Sequence, residues 1–434
     1  MVFKVGILGL GTVGTGTAEI LLNPQGRHPL VQEIEIARVG VRSLSKSRKI
    51  QLPPAVLTAD LDAIVTDPDI EIVVELLGGL EPARSLILKA IASGKHVVTA
   101  NKAVIARHGD EIYTAANTAG VYVIQEAAVG GGIPIIKPLK ESLGANHITR
   151  VTGIVNGTTN YILTQMSQAG ADFADVLTEA QKLGYAEADP TADVDGLDAA
   201  DKIAILASLA FGGRIKREDI HCEGIRQVSA ADISYADRLG FTIKLLAIAQ
   251  QYQSESDISL QVRVHPSLVP KNHPLANVNG AYNAILVEGE PIGQVMFFGS
   301  GAGAGPTASA VVSDILSIVG ILKSARSGSS LNPLLTFSHQ EYCQVAPMET
   351  VVARYYARFL CGDRPGVIGH LGTCFGKHEV SLESVVQIGF QEERAEIVVV
   401  THDVREGNFN QAIDEIRSFS ALDNISIASI VRVL

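Results

Sequence analysis

The chain is poor in the residues that build disulfide scaffolds and zinc sites. Its 434 residues include no tryptophan and four cysteines, which are Cys222, Cys343, Cys361 and Cys374. No two of them form a CxxC pair or a zinc-type cluster. The sequence therefore predicts a protein without structural disulfides, as is typical of reducing compartments.

Basic residues are also scarce. The chain has 35 Lys and Arg against 46 Asp and Glu, a formal net charge of −11 at pH 7. An acidic protein repels phosphate backbones, so nucleic acid is not an expected partner. The apolar start, residues 2–10, lacks a basic leader and is too short for a secretion signal. No apolar run looks long enough to span a membrane, so we expect no membrane partner and a cytoplasmic enzyme.

Strand and helix patterns alternate in the first third of the chain. Buried strands are predicted at Phe3–Leu8, 35–41, 70–76 and 95–99, and helices at Thr12–Leu22 and 82–93. Repeated βα units of this kind predict a Rossmann fold, a doubly wound parallel sheet. We assign residues 1–130 to this domain, with the apolar helix 306–322 returning to complete it.

The remainder predicts two further domains. Residues 131–305 mix helices (158–169, 175–183, 197–211) with strands (148–155, 258–265, 280–298), which favours an α+β substrate and dimerisation domain. Residues 323–350 are rich in Ser, Gly, Asn and Pro and predict a linker. From residue 351 to 434 the order strand, helix, strand, strand, helix, strand is that of a ferredoxin-like unit.

A glycine loop follows the first strand. Gly9-Leu10-Gly11-Thr12-Val13-Gly14 matches GxGxxG, with a strand before it and a helix after it. In this context the glycines allow a tight turn and close approach of a pyrophosphate, and the N–H groups of Thr12 and Val13 face the phosphates. The alternative is a glycine turn without a ligand.

The end of the second strand bears on cofactor choice. The strand is followed by Arg42, with Lys46 and Arg48 nearby, where NAD-binding domains usually carry an acid. A guanidinium suits a 2′-phosphate, which favours NADP, with NAD still possible. The alternative is that these are solvated loop cations.

Two clusters stand out as candidate chemistry. Thr99-Ala100-Asn101-Lys102 follows a parallel strand, at the sheet edge where ligands bind, although a surface lysine is equally common there. The acidic stretch 184–202 places Asp198 and Lys202 four residues apart on one helix face. By itself this pair could be an ordinary surface ion pair.

The acidic stretch resembles the signature of homoserine dehydrogenases. It runs from Gly184-Tyr185-Ala186-Glu187 through Asp189-Pro190 to Asp193-Val194-Asp195-Gly196-Leu197-Asp198 and on to Lys202. Four further blocks are similar to that family: 99–102, 126–134, 155–163 and 301–314. Together they cover nearly all of the first 320 or so residues.

The resemblance implies interconversion of L-homoserine and L-aspartate 4-semialdehyde with NAD(P). It places Lys202 at the proton shuttle and Lys102 beside the reacting oxygen, with Glu187, Asp198 and Asp193 holding the substrate. Thr99 and Lys102 are expected to contact the cofactor. Gly303 precedes a helix start, which would close over the cofactor from the other side.

The resemblance also implies a cation site at Glu126, Val129, Gly131 and Ile133. The glycine run there can turn carbonyl oxygens inward, which suits a hard monovalent ion, most simply Na⁺. The alternative is a plain flexible hinge.

The last segment resembles an ACT domain, whose D-x-P-G-V turn corresponds to Asp363, Gly366 and Val367. Such domains pair and bind amino acids, so feedback by threonine and a homodimer or homotetramer are expected. The alternative is a dimerisation module that has lost its ligand. No kinase segment is expected ahead of the first strand. There are two rival interpretations. The chain could be another amino-acid dehydrogenase, or it could be an ACT-domain sensor with an inactive dehydrogenase. The presence of both Lys102 and Lys202 argues against the inactive dehydrogenase.

Overall fold

A computed structural model describes residues 2–253, 258–324, 331–336, 341–391, 394–418 and 425–434. The chain forms two compact units. The first comprises Met1–Val151, Asp201–Glu218 and Asn283–Cys343, and the second Thr152–Ala200, Asp219–Tyr282 and Gln344–Leu434. This division differs from the one predicted from sequence, and the predicted domain boundaries stay a prediction. Residues 325–330 and 337–340 of the predicted linker lie outside the described residues.

The first unit contains a six-stranded parallel sheet in the order β3-β2-β1-β4-β5-β6. This order is that of a Rossmann fold and confirms the predicted doubly wound sheet. Its strands are β1 (Phe3–Leu8), β2 (Ile34–Gly40), β3 (Leu57–Thr58), β4 (Ile72–Glu75), β5 (His96–Thr99) and β6 (Val123–Ile124). Its helices are α1 (Thr12–Leu22), α2 (Leu61–Thr66), α3 (Ala83–Ala92), α4 (Lys102–Ala119), α5 (Ile136–Lys140) and α11 (Ala304–Ser324).

Helix α11 completes the core of this unit. Val311, Ile315 and Ile318 are fully buried in the same apolar cluster as the sheet, each contributing about 1.5–3 kcal/mol of hydrophobic burial. The helix crosses α1 so closely that a Cβ on Gly16 would lie 2.7 Å from the carbonyl oxygen of Ala304. The predicted helix 306–322 is therefore confirmed, although it begins two residues earlier and ends two residues later.

By length and composition α11 could cross a membrane, so the expectation that no run is long enough was wrong. Half of its most apolar 18-residue stretch is buried inside the protein.

Three elements contain a boundary between the units: β7 (His147–Ile154), α9 (Leu197–Ala210) and β11 (Tyr282–Glu290). The predicted strand region 280–298 divides into β11 and β12 (Gly293–Ser300), which are adjacent in one sheet.

The second unit contains a long antiparallel hairpin, β9 (Phe241–Gln253) and β10 (Ile258–Pro270), beside which β8 (His221–Cys222) pairs. The helices of this unit that precede residue 344 include α6 (Gly157–Ala169), α7 (Phe173–Leu183), α8 (Thr191–Val194) and α10 (Ala230–Arg238). Helix α6 begins at a side-chain cap, because the Oδ1 of Asn156 accepts a hydrogen bond from the Thr159 N–H at 2.8 Å.

The C-terminal part of the second unit confirms the predicted ferredoxin-like order. Its elements are β13 (Val352–Cys361), α12 (Val367–Lys377), β14 (Leu382–Gln391), β15 (Arg394–Thr401), β16 (Val404–Arg405), α13 (Glu406–Ser418) and β17 (Ser426–Val433). The sheet order is β17-β13-β15-β14, and Tyr355 stacks on Phe409 in its core at 4.0 Å between ring centroids. Strand β17 also pairs in parallel with β10 at Ser267 and Leu268, so this sheet continues into the hairpin.

Candidate active site

The glycine loop lies at the carboxyl end of β1 and needs glycine for steric reasons. Gly9 has a φ of 101°, and a Cβ there would lie 2.8 Å from the carbonyl oxygen of Leu76. A Cβ on Gly14 would lie 2.1 Å from the carbonyl oxygen of Gly9. Apart from the two chain neighbours of Gly11, the described residues place no atom within 4 Å of a Cβ at that position. A ligand can therefore approach the backbone at Gly11.

The start of α1 is suited to an anion. Gly11 is its N-cap and supplies no side-chain cap, and the first turn carries no acidic residue. The N–H groups of Thr12 and Val13 have no partner within an α-helix, and the helix dipole adds partial positive charge. These are the features that bind a dinucleotide diphosphate.

The two arginines of the loop after β2, Arg42 and Arg48, differ in their contacts. The guanidinium of Arg48 donates to the carbonyl oxygens of Lys46, at 2.8 Å, and of Ser43, and so holds the loop together. Arg42 is exposed, and within the described parts of the chain its side chain has no hydrogen-bond partner. Arg42 is thus the guanidinium available to a ligand beside β2.

Thr99 uses its side chain within the protein. Its hydroxyl donates to the Glu75 carboxylate at 2.6 Å and accepts from the Asn101 N–H at 3.0 Å. Glu75 is fully buried at the end of β4, and burial raises its pKa against the opposing hydrogen bonds from Thr99 and the Leu77 N–H. This network joins the ends of β4 and β5, leaving the backbone of Thr99 as its contact for a ligand. The sequence analysis did not single out Glu75 as a site residue. A carboxylate at the end of an otherwise apolar strand was the signal that could have identified it.

Lys102 is the first residue of α4, at the same carboxyl edge. The preceding Asn101 caps the helix, because its Oδ1 accepts from the Val104 N–H at 3.3 Å. Its Nδ2 donates to the Gly79 carbonyl at 2.7 Å. The cap and this cross-loop bond fix where Lys102 leaves the backbone.

Lys202 is 8% exposed and lies on α9 beside a network of ion pairs. The neighbouring Asp201 accepts from Arg107 on α4 and from Arg217, each at 3.0 Å. Arg107 lies on α4, five residues after Lys102 and about 7.5 Å further along the helix axis. Its ion pair with Asp201 therefore joins the helix that carries Lys102 to the helix that carries Lys202. That the two ammonium groups meet over a cofactor stays a prediction.

Asn156 brings together two of the three predicted substrate carboxylates. Its Nδ2 donates to Asp193 at 2.7 Å and to Asp198 at 2.8 Å. Asp198 is 7% exposed and Asp193 is half-buried. Because the same amide caps α6 through its oxygen, its orientation is determined at both ends. Sequence reasoning quoted Asn156 in a family block but missed this task.

The third predicted carboxylate, Glu187, lies on an exposed loop. The loop is held by a hydrogen bond from the Thr158 hydroxyl to the Tyr185 carbonyl at 2.7 Å, and by Gln181, which donates to the Glu187 carbonyl at 3.1 Å. Tyr185 also stacks on Tyr161 at 4.4 Å. Among the described residues the Glu187 carboxylate has no ionic or hydrogen-bond partner, so it is available to a ligand.

The predicted cation segment is organised around Glu126. This buried carboxylate accepts from the backbone N–H groups of Ile135, Ile136 and Lys137 at 2.6, 2.7 and 2.8 Å. The Glu126 N–H donates to the buried Asp314 at 2.7 Å. Burial and the Glu126 carboxylate raise the pKa of Asp314 to about 7, against the effect of Lys137.

The backbone of the segment fits a hard cation. Gly131 has a φ of 54°, and Val129, Gly131 and Ile133 are buried. In the described residues no hydrogen bond ends on the carbonyl oxygens of these three. Nor do the described residues contain a cluster of three or more His, Cys, Asp or Glu side chains that could hold a metal. Any ion here would therefore depend on backbone oxygens.

Gly303 precedes α11, with a φ of 118° and a carbonyl oxygen that accepts from the Thr307 N–H at 3.2 Å. The helix begins at Ala304, ahead of the proline predicted to open it. Its N-terminus packs against Gly16 of α1, so it lies close to the helix that follows the glycine loop.

The predicted effector turn lies between β13 and α12. Asp363 and Gly366 are exposed, Val367 is buried, and Gly366 is the N-cap of α12 with a φ of 97°. This conformation fits the turn of the predicted motif.

A network of ion pairs connects strand β17 to Glu223, which follows β8. Arg432 donates to both oxygens of Glu223 at 2.9 Å and to Glu406 at 3.1 Å. Burial would raise the pKa of Glu223, but the hydrogen bond from His221 and the charge of Arg432 outweigh it and lower the pKa to about 2.

The segment after Glu223 packs on the backbone of the acidic stretch 184–202. The Ile225 N–H donates to the Val194 carbonyl at 2.8 Å, and a Cβ on Gly224 would lie 2.1 Å from the same oxygen. The residues that follow Glu223 are thus in direct contact with Val194, the residue beside Asp193.

Comparisons with known proteins agree with this geometry. Residues 9–126 match the family model of the homoserine dehydrogenase NAD-binding domain, residues 134–316 that of homoserine dehydrogenase, and residues 355–421 that of the ACT domain. The homoserine dehydrogenase of Synechocystis sp. is 68% identical over the full length of both chains, and that of Pseudomonas aeruginosa is 43% identical over 98% of this chain and 96% of its own.

Solved structures give the same result. A homoserine dehydrogenase from Thiobacillus denitrificans superposes with a TM-score of 0.90 and 43% identity, covering 100% of this chain and 98% of that chain. A hyperthermophilic archaeal homoserine dehydrogenase in complex with NADPH superposes with a TM-score of 0.62 and 29% identity, covering 76% of this chain and 100% of that chain. The chain therefore belongs to the homoserine dehydrogenase family, with an NAD-binding domain and a C-terminal ACT domain.

Proposed function

We propose that the chain interconverts L-homoserine and L-aspartate 4-semialdehyde with NADP, using Lys202 and Lys102 at the reacting oxygen. The observation that carries this proposal is the placement of Asn156, which bonds to Asp193 on α8 and to Asp198 on α9, one helical turn before Lys202. Carboxylates for an ammonium and a lysine for a hydroxyl match the two ends of homoserine.

In the oxidation direction Lys202, as the neutral amine, accepts the proton of the substrate C4 hydroxyl while a hydride leaves C4. Bound NADP⁺ supplies the acceptor for that hydride. The ammonium of Lys102 stabilises the negative charge that develops on the oxygen. Glu187, Asp198 and Asp193 hold the amino-acid end, so that C4 stays in place. In the reverse direction the Lys202 ammonium returns the proton.

The direct test is NADPH oxidation by the purified chain with L-aspartate 4-semialdehyde. We expect turnover with this aldehyde and far less with aldehydes that lack the α-amino group. A chain that binds NADPH but reduces another amino-acid aldehyde better would overturn the substrate assignment.

We also propose a preference for NADP over NAD. The support is the exposed guanidinium of Arg42 beside β2, together with the NADPH named for the archaeal relative. A kcat/KM that is higher for NADH than for NADPH would reject it.

The Glu126 segment is proposed to hold a structural monovalent cation, taken to be Na⁺. Glu126, Val129, Gly131 and Ile133 would supply the ligands. The support is the buried backbone of Val129, Gly131 and Ile133, whose carbonyl oxygens accept no hydrogen bond in the described residues, beside the buried Glu126. Replacing Na⁺ with tetramethylammonium should lower both activity and melting temperature. If activity and melting temperature are identical in the two salts, the segment is a flexible hinge without a bound cation.

The ACT domain is proposed to mediate feedback inhibition by threonine at the turn containing Asp363, Gly366 and Val367. The contact chain from Arg432 through Glu223 to Val194 offers a route from this domain to the substrate carboxylates. A flat inhibition curve with threonine and other aspartate-family amino acids would support the alternative of a dimerisation module without a ligand.

We propose that the protein acts in threonine, methionine and isoleucine biosynthesis, in the cytoplasm, as a homodimer or homotetramer. The described residues include all four cysteines and contain no disulfide between them. Light scattering of the purified chain measures the oligomeric state, and a monomer would overturn that part.

A further inference from the structure

A cavity of about 50 Å³ lies within the first unit, between α4 and α9, apart from the glycine loop. One wall is apolar and includes Ile105, Ala204 and Ile215. At roughly 10–15 Å³ for one water, this space admits about three to five non-hydrogen atoms. That is the size of the head group of an amino acid, with any side chain directed to the mouth.

The deep end of the cavity offers a buried hydrogen-bond donor. Gln125 lines it and is 4% exposed. Its Oε1 accepts from the hydroxyl of Tyr113, whereas its Nε2 has no hydrogen-bond partner in the described residues. The Nε2 of Gln125 is therefore available to donate to an oxygen that enters the cavity.

The mouth carries charges of both signs. The Nη1 of Arg214 lies 4.0 Å from the Oδ2 of Asp110, longer than a hydrogen bond. The same carboxylate accepts from the hydroxyl of Tyr342 at 3.4 Å. Arg214 suits a carboxylate and Asp110 suits an ammonium, so the mouth matches a zwitterion better than either ion alone.

We propose that this cavity is a second binding site, for the head group of a free α-amino acid. The ligand carboxylate bonds to Arg214 and to the Nε2 of Gln125, and its ammonium bonds to Asp110. A simple anion would face repulsion from Asp110, and a simple amine would face repulsion from Arg214. The site is separate from the effector turn at Asp363 and from the substrate carboxylates.

Tyr342 makes the mouth a defined structure. The segment that carries it is bonded to Arg214 through two backbone hydrogen bonds of 2.9 Å, from the Arg214 N–H to Glu341 and from the Cys343 N–H to Arg214. The ammonium of Lys216 lies 5.3 Å from the centre of the Tyr342 ring. A bound amino acid would therefore contact α4 and α9, the helices that carry Lys102 and Lys202.

The test titrates the full chain with the proteinogenic L-amino acids, each up to about 10 mM, by ligand-observed NMR and thermal shift. We expect saturable binding of at least one, and binding at least about tenfold weaker for its analogues without the ammonium or without the carboxylate. Asp110→Asn and Arg214→Met should each raise the Kd at least about tenfold. The matched control Asp414→Asn, an exposed carboxylate elsewhere, and the effector-turn variant Asp363→Ala should leave the Kd unchanged.

Several results would overturn the proposal. One is no saturable binding by any of the amino acids. Another is binding that persists unchanged in Asp110→Asn and Arg214→Met, or that Asp363→Ala abolishes while Asp110→Asn does not. If Arg214→Met lowers the melting temperature of the free chain, Asp110→Asn and Gln125→Met decide the question.

Discussion

Replacing Asn156 with serine separates its two tasks. Serine is a good N-cap, so α6 keeps its first hydrogen bond. The amide Nδ2 is lost, and with it the bonds of 2.7 and 2.8 Å to Asp193 and Asp198. The variant therefore removes the element that positions both carboxylates and leaves the helix in place.

The size of the effect follows from those two bonds. A hydrogen bond to a charged group contributes about 1.5–3 kcal/mol, so the pair contributes at least about 3 kcal/mol to holding the carboxylates. If that stabilisation is expressed in the transition state, kcat/KM for homoserine falls about a hundredfold or more. The KM for NADP⁺ should stay within about twofold, because Asn156 has no part in the cofactor loop. Asn156→Asp should be worse, since it adds a third carboxylate.

The assay is steady-state NADP⁺ reduction with homoserine, alongside NADPH binding by fluorescence. The matched control is Asp60→Ala, which removes the cap of α2 in the first unit (Ala63 N–H to Asp60 at 3.0 Å), outside the acidic stretch 184–202. It should cost about 1 kcal/mol of stability and leave kcat/KM unchanged. A kcat/KM for Asn156→Ser within threefold of the parent would refute the assignment of Asn156 as a positioning residue.

Three further predictions concern the cofactor, the folded state and regulation. Arg42→Ala should raise the KM for NADPH about tenfold and leave that for NADH unchanged, which initial rates with both cofactors will check. Burial lowers the pKa of His96 to about 4 from 6.5. Below pH 6.5 the imidazole of His96 is protonated in the unfolded chain but stays neutral in the native state. The free energy of unfolding therefore falls by up to about 3 kcal/mol as pH drops from 6.5 to 4. His96→Gln should flatten this decline in thermal unfolding, and an unchanged slope would reject the cause. Arg432→Met should weaken threonine inhibition at least about fivefold while the uninhibited kcat stays within about threefold; Glu223→Gln should do the same, and full inhibition in both would exclude this route.

Local patterns predicted the elements of the first third well. The bounds of β1 and α1 agree with the sequence, because a continuous apolar run and a following proline are both local signals. The ferredoxin-like order after residue 351 was likewise readable from alternating strand and helix patterns. Glycine positions in the GxGxxG loop followed from sterics that any such turn requires.

Partners distant in sequence were not predictable. Asn156 meets Asp193 and Asp198, 37 and 42 residues away, and Glu75 meets Thr99 across two strands. Such contacts depend on how elements pack, and no periodicity encodes them. The family resemblance supplied candidate residues without showing which group orients them.

The pairing of Lys202 with the reacting oxygen is tested most directly by the Lys202→Met variant. The measurement is the single-turnover rate of NADPH oxidation with L-aspartate 4-semialdehyde, together with the Kd for NADPH. The account predicts a rate lower by about 10²–10⁴, the usual contribution of a positioned acid, with the Kd unchanged. A rate within tenfold of the parent would contradict it.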